Sequence, residues 1–216
     1  MAQPTNRWCR TTKGDHRVTE SLKPVGFWSY AQTDDQIPSG QLGMLREMLG
    51  RELQLQIGQP TRIFQSTTAN EIGSDGRHEI VAAIAEASFF VAILTPSYLQ
   101  SQFCAQELLW FREREAALGR NDLIFPLHYI DTSQLALTTP QESNGLDVLA
   151  LLRSRQMADF RDLRSSTFDT GAVWSRIAAL ARSIRVSLTR TVLSEYFDKT
   201  LKSEYLRDIF EAGRAP

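Results

Sequence analysis

Hydrophobic positions along this chain switch repeatedly between short apolar runs and stretches in which apolar residues recur every three or four places. Phe89-Phe-Val-Ala-Ile-Leu94 is continuous, short and β-branched enough to be a strand buried on both faces, and Pro96 ends it. Val25-Gly-Phe-Trp-Ser-Tyr30 and Pro60-Thr-Arg-Ile-Phe64 read as strands before it, and Leu123-Ile-Phe-Pro-Leu-His-Tyr-Ile130 as a fourth after it. Pro126 cannot donate to a ladder, so the fourth strand is expected to carry an irregularity or to lie near an edge. Gln156-Met-Ala-Asp-Phe160 reads as a fifth, edge strand.

Helical spacing fills the intervals. Leu42, Leu45, Met48, Leu49 and Leu53 form an inward stripe on a helix from Gly40 to Leu55, and Ile80, Ala83, Ile84 and Ala87 do the same from His78 to Ala87. A third helix starts near Ser101, which can cap its free amides, and Gly119 is placed to close it. Gly145 to Arg153 is a short helix, and Ile177, Leu180, Ala181, Ile184 and Leu188 line one face of a helix from Trp174 to Leu188. Strands alternating with helices at this spacing predict an α/β three-layer sandwich with a central parallel five-stranded sheet, because right-handed crossovers put helices on both faces. Ligands bind such sheets beyond the carboxyl ends of the strands. The loops after Tyr30, Phe64 and Leu94 would gather there, with the start of the Ser101 helix.

The ends and the long loop change this picture. Met1 to Pro24 is polar without periodicity and reads as a flexible leader. Residues 25–190 form the predicted domain. Beyond it, Val192, Leu193, Tyr196, Phe197, Leu201, Tyr205, Ile209 and Phe210 mark a helical extension over 191–216, an added packing helix or a link to another module or subunit. Ala31 to Gln36 leaves the first strand as a loop, and Asp131 to Asn144 forms another. Gln65 to Asp75 is a long polar loop with Gly73 and Gly76 at its end, and loops of that length in compact domains are commonly functional or mobile.

Composition removes several function classes. With 216 residues and 42% hydrophobic content the chain suits one domain plus extensions. Lys+Arg 24 against Asp+Glu 25 leaves a net charge of -1 and no basic field for nucleic acid. Cys9 and Cys104 are the two cysteines, which offers no disulfide framework and suits a reducing compartment. No signal-peptide core or bilayer-length run is present, so a cytoplasmic protein away from membranes is expected.

Candidate chemistry centres on Glu107. At helical spacing Phe103 and Cys104 precede it by four and three residues, and Trp110 and Phe111 follow by three and four, so an acid stands among large apolar groups. Other motifs fail. Gly40-Gln-Leu-Gly43 lacks the lysine of a phosphate-binding loop, and Gly73-Ser-Asp-Gly76 is too short for a dinucleotide fingerprint. His16, His78 and His128 are far apart without paired cysteines, so no metal site is expected. Asp34-Asp35 is reminiscent of a response-regulator receiver, but Leu94-Thr95 stands where a receiver needs its phospho-accepting aspartate. No Gly-x-Ser-x-Gly elbow occurs.

Taken in order, Phe27-Trp-Ser-Tyr30 with Asp34-Asp35, Ile63-Phe64, Ile93-Leu-Thr-Pro-Ser-Tyr-Leu99 and Ser101-Gln-Phe-Cys-Ala-Gln-Glu-Leu108 resemble the bacterial branch of the Toll/interleukin-1 receptor (TIR) domain family. Leu118-Gly-Arg-Asn-Asp-Leu-Ile-Phe-Pro-Leu-His-Tyr-Ile-Asp131 and Gln156-Met-Ala-Asp-Phe-Arg-Asp-Leu-Arg164 extend the resemblance over Val25 to Leu188. It implies a flavodoxin-like fold and, in the family's catalytic members, an NAD+ glycohydrolase in which the glutamate of Cys-x-x-Glu, here Glu107, is catalytic. It places Trp28, Ser29, Tyr30, Asp34, Phe103 and Cys104 about the substrate, with no cofactor beyond NAD+ itself as substrate. Phe103 stands where the family usually has Trp. The loop after the second strand is implied to shape the pocket and mediate self-association, and bacterial members commonly act in anti-phage defence. The chain departs from the bacterial pattern at Gln65-Ser66, where relatives commonly have an acid, and at Gly76, where they often have Trp.

One carboxylate suffices for that reaction. Nicotinamide in NAD+ is already cationic and leaves neutral, so no general acid is needed, unlike glycosidases with their two carboxylates. An anion near the oxocarbenium-like ribose, hydrogen bonds to its hydroxyls and aromatic surfaces for the ring are what help. Glu107 can supply the first two, and Trp28, Tyr30 and Phe103 are candidates for the third. Two other readings stand beside this one: a non-catalytic module working through TIR–TIR contacts, and a nucleoside deoxyribosyltransferase-like enzyme sharing the sheet and a glutamate.

Overall fold

The structure is a computed structural model that describes residues 24–35, 40–65, 74–133, 142–143 and 146–190. The leader up to residue 23 and the helical extension over 191–216 lie outside the described residues.

Successive side chains of a strand point to opposite faces, and β1 (Val25–Ser29) shows the sorting clearly. Trp28 enters one core cluster and Phe27 the other. The chain continues through a 3-10 turn (Gln32–Asp34), α1 (Gln41–Ile57), β2 (Arg62–Gln65), α2 (Ser74–Glu86) and β3 (Phe89–Leu94). It then passes through α3 (Pro96–Gln100), α4 (Gln102–Ala117) and β4 (Ile124–His128). A hairpin of β5 (Glu142–Ser143) and β6 (Leu146–Asp147) leads to α5 (Val148–Arg153), β7 (Ala158–Asp159) and α6 (171–190).

The main sheet has five strands in the order β2-β1-β3-β4-β7, and every pairing is parallel. This is the flavodoxin-like order, in which the chain reverses direction across the sheet between β1 and β3. Helices α1 and α6 cover one face, where Leu42, Leu45, Leu49 and Leu53 meet Ile177, Ala181 and Ile184 around Trp28, Val91 and Leu127. Helices α2, α3, α4 and α5 cover the other, over Phe27, Phe90, Ala92 and Leu94. All six residues of β3 are buried, as its continuous apolar run predicts.

Several boundaries differ from the sequence expectation, each for a local reason. Pro96 opens α3 as well as ending β3, because Thr95 caps that helix by accepting the Tyr98 N–H at 3.0 Å and proline fits a first helical turn. The helix expected from His78 begins at Ser74, so Gly76 is helical, Gln65 belongs to β2, and residues 66–73 of the expected loop lie outside the described residues. The helix expected from Gly145 begins at Val148, because Asp147 caps it through the Ala150 N–H at 2.8 Å while Leu146 and Asp147 pair with β5. Pro126 is accommodated without an irregularity. The Tyr129 N–H donates toward β3 and the His128 carbonyl accepts from beyond β7, so by alternation Pro126 faces the β7 side. There β7 pairs with Leu127 and His128 alone, and no ladder bond is lost.

Candidate functional site

Ser101 ends α3 and begins α4 in extended conformation, its hydroxyl accepting the Cys104 N–H at 3.2 Å. At the other end Gly119, at φ 64°, donates to Ala116 O while Arg120 N donates to Glu115 O, a closure that needs the left-handed region glycine enters freely. The predicted cap and stop are thus both used. The azimuth of α4 is set by Phe111, whose ring lies 5.2 Å from Phe90, which stacks at 5.4 Å on Phe27, which stacks at 5.5 Å on Phe64. This aromatic row turns the inward face of α4, with Cys104, Leu108 and Phe111, onto the sheet. Glu107 and Glu115 are carried to the same face.

Those two acids are satisfied in opposite ways. Glu115, 1% exposed, accepts from Arg155 Nη2 at 2.7 Å and from the Leu123 N–H at 2.8 Å, so a cation and an amide oppose the burial that still pushes its carboxyl up. Glu107, 6% exposed, accepts from the Ser29 hydroxyl at 2.6 Å, and no arginine, lysine or histidine pairs with it among the described residues. Burial pushes the Glu107 carboxyl up from its ordinary 4.5 to about 7, and the Ser29 hydrogen bond pulls it partly back. A buried, uncompensated acid titrating near neutrality costs stability, which marks it as a functional candidate where Glu115 is structural.

Ser29 closes β1 at the carboxyl edge, beside the point where the strand order reverses. Its Oγ also lies 3.3 Å from Tyr98 Oη. Thr95, the residue after β3, donates to Asp34 Oδ2 at 2.6 Å, so the 3-10 turn after β1 is tied to the start of α3. The structure therefore brings together Ser29, Asp34, Cys104 and Glu107 from the predicted set, and adds Thr95 and Tyr98. The sequence signal for the two missed residues was Thr95-Pro96, a cap followed by a helix-opening proline.

Trp28 is a correction, and Tyr30 lies at the margin of the site. Strand alternation sends Trp28 to the α1 and α6 face, away from the Glu107 face, whereas Tyr30 follows the end of β1, packs with the same cluster and still feels the Glu107 charge. Trp28 is 0% exposed and packs in the core, its Nε1 without a partner among the described residues, so it offers no surface to a ligand. The Tyr30 hydroxyl accepts from Gln65 Nε2 at 2.6 Å. Phe103, one turn before Glu107 on α4, is 51% exposed and is the aromatic of the three that is open to solvent. Cys104 is buried, and desolvation together with the Glu107 carboxylate pushes its thiol up to about 12, so it is a neutral wall and not a nucleophile.

Clefts of about 310 Å³ beside Arg46 and Thr61 and about 220 Å³ beside Gln56 and Arg185 lie along α1, away from Glu107. Residues 36–39 and 66–73, which follow β1 and β2, are outside the described residues. Among the described residues no group of three or more His, Cys, Asp and Glu side chains converges on a metal position. No helix among them is long and apolar enough to cross a membrane.

The family model for the TIR domain matches residues 49–173, a span that starts within α1 and includes Thr95, Tyr98 and Glu107 but not β1 with Ser29. No curated protein matches the chain significantly. With more than half of its 216 residues matched and its parallel sheet in the order β2-β1-β3-β4-β7, the chain belongs to the TIR domain family.

Proposed function

We propose that this protein is an NAD+ glycohydrolase in which Glu107 is the catalytic carboxylate. The observation that carries the reading is the burial of Glu107 beside the strand-order switch without a cation among the described residues, with its charge left for a substrate to compensate. The C1′–N bond of the nicotinamide riboside breaks with both electrons going to the ring nitrogen, which becomes neutral. The ionised Glu107 stabilises the positive charge that develops on the ribose. A water oxygen then bonds to C1′ and loses a proton, giving ADP-ribose, or a nucleophile within the same molecule closes a cyclic ADP-ribose. Ser29 orients the carboxylate, and Phe103 offers its exposed ring to the substrate.

Residues 25–190 form the proposed catalytic unit, with 191–216 an added helix or a link to another module, acting as a signal-making effector of cytoplasmic anti-phage immunity. TIR domains commonly self-associate. Self-association is the proposed activator, because Ser29 and Glu107 are both buried in the single chain and ribose reaches them only when their surroundings open. The same burial favours a second reading, a scaffold working through TIR–TIR contacts without chemistry. Nicotinamide release by the full chain, dilute and crowded, alongside Glu107→Gln, separates them. Release abolished by the substitution supports catalysis; absence of release in every assembly state leaves the scaffold, and equal release by the variant removes Glu107 from its role.

A further inference from the structure

Three hydroxyl-bearing or acidic side chains far apart in sequence form a buried line: Tyr98 Oη, Ser29 Oγ at 3.3 Å, and Glu107 Oε2 at 2.6 Å from Ser29. Tyr98 and Ser29 are 0% and 1% exposed, so water does not compete for these contacts. Tyr98 is held at both ends, since its N–H donates to Thr95 Oγ1 at 3.0 Å and Thr95 is in turn bound to Asp34. Ser29 has a single proton. The shorter, charge-assisted contact claims it for the carboxylate, which leaves the two Ser29 lone pairs to accept, one from the Tyr98 hydroxyl and one facing the neutral Cys104 thiol. When Glu107 is protonated the line can reverse, the carboxyl donating to Ser29 and Ser29 to Tyr98.

We propose that Tyr98 is a positioning residue: acting through Ser29, its hydroxyl holds the Glu107 carboxyl in place and favours its ionised form. The inference rests on the catalytic reading of Glu107 for its functional meaning, but not for its test. Burial pushes the Tyr98 phenol well above its ordinary value, so it keeps its proton and remains a donor throughout the working range. The groups facing Glu107 are Cys104 on its own helix, Tyr98 from α3, Tyr30 beyond the end of β1, and Asp34, which acts on Cys104. None of these is cationic, so hydrogen bonding through Ser29 is what favours the charged state against desolvation.

The test is a pH titration of the glutamate carboxyl carbons by NMR in the full chain without NAD+, with the Glu107 resonance identified by its loss in Glu107→Gln. Tyr98→Phe preserves the packing and removes the donor. It is expected to weaken Glu107 as an acid by about three- to tenfold, the range of one neutral hydrogen bond, and Ser29→Ala is expected to weaken it further. An unchanged Glu107 midpoint in Tyr98→Phe, whatever its melting temperature, overturns the proposal. Should that variant not fold, 3-fluorotyrosine placed at position 98 keeps the shape and makes the phenol a stronger donor; the midpoint then falls, and no movement overturns the proposal equally. A chain that shows these shifts yet releases no nicotinamide would remove the NAD+ reading alone.

Discussion

Ser29 Oγ and Glu107 Oε2 are 2.6 Å apart although 78 residues separate them in sequence. The contact joins the end of β1 to the second turn of α4, and β3 lies between β1 and β4 in the sheet below. It is the described hydrogen bond of a carboxyl that has no cation among the described residues, so the ionisation of Glu107 is governed by desolvation opposed by one hydroxyl. The molecule's pH behaviour follows from that balance.

Stability is the first consequence. The folded carboxyl titrates at about 7 against an ordinary 4.5, so between those values the folded chain keeps a proton that the unfolded chain releases. Stability from this group is complete below pH 4.5 and is lost as pH rises through about 7, a change of about 3 kcal/mol. Glutamine stays neutral and still accepts from Ser29. Glu107→Gln is therefore expected to match the wild type near pH 4.5 and to exceed it by about 3 kcal/mol near pH 8. Chemical denaturation at both pH values measures it, and a difference that does not depend on pH refutes the assignment.

Catalysis should follow the opposite limb. Only the carboxylate stabilises a developing oxocarbenium ion, so kcat/KM for NAD+ cleavage is expected to rise with pH to a plateau, with a midpoint no higher than about 7, because the opening that admits ribose relieves the burial that raises this carboxyl. In the bound complex the cationic nicotinamide ring favours the charged form, which moves the kcat midpoint lower. A profile flat from pH 5 to pH 8 would place the essential ionisation elsewhere.

Gly26 tests the sheet beneath the site. A Cβ there would lie 2.4 Å from the Phe89 ring, itself fully buried, whereas one at Gly43 on α1 would meet nothing within 4 Å. Gly26→Ala is expected to cost about 2 kcal/mol through overpacking, and Gly43→Ala to add up to about 1 kcal/mol of helix stability. Paired melting curves decide it; equal melting temperatures for the two variants would contradict the packing.

Arg155 should reveal the structural acid on α4. Removing it leaves Glu115 buried without its partner at 2.7 Å, so Arg155→Ala is expected to cost about 3 kcal/mol. Adding Glu115→Gln removes the stranded charge and is expected to restore part of the loss. A double variant no more stable than the single one would show that Arg155 acts through packing instead.

Much of the scaffold was legible along the chain. The α1 stripe Leu42, Leu45, Met48, Leu49 and Leu53 is buried residue for residue, the α6 stripe likewise, and β3 is buried throughout. Local chemistry placed the Ser101 cap and the Gly119 stop, because both depend on backbone geometry within a few residues. Helix α3 is not legible from periodicity, because five residues are too few to show a repeat and Pro96 suits the end of a strand as well as a first helical turn.

The candidate site was legible in part. Glu107 stood out by its apolar neighbours, yet Glu115 is buried on the same face of the same helix, and the local sequence does not say which of the two acids finds a cation. Arg155, beyond β4 and α5, compensates one acid and leaves the other with a serine. Which β1 residue reaches Glu107 was likewise decided by tertiary structure, because alternation makes Trp28 and Ser29 exclusive alternatives and the choice depends on which helices cover which face. Periodicity and capping act over a few residues and were written in the chain by itself; partnership between charges and hydroxyls 40 to 78 residues apart exists only once the sheet has brought them within bonding distance.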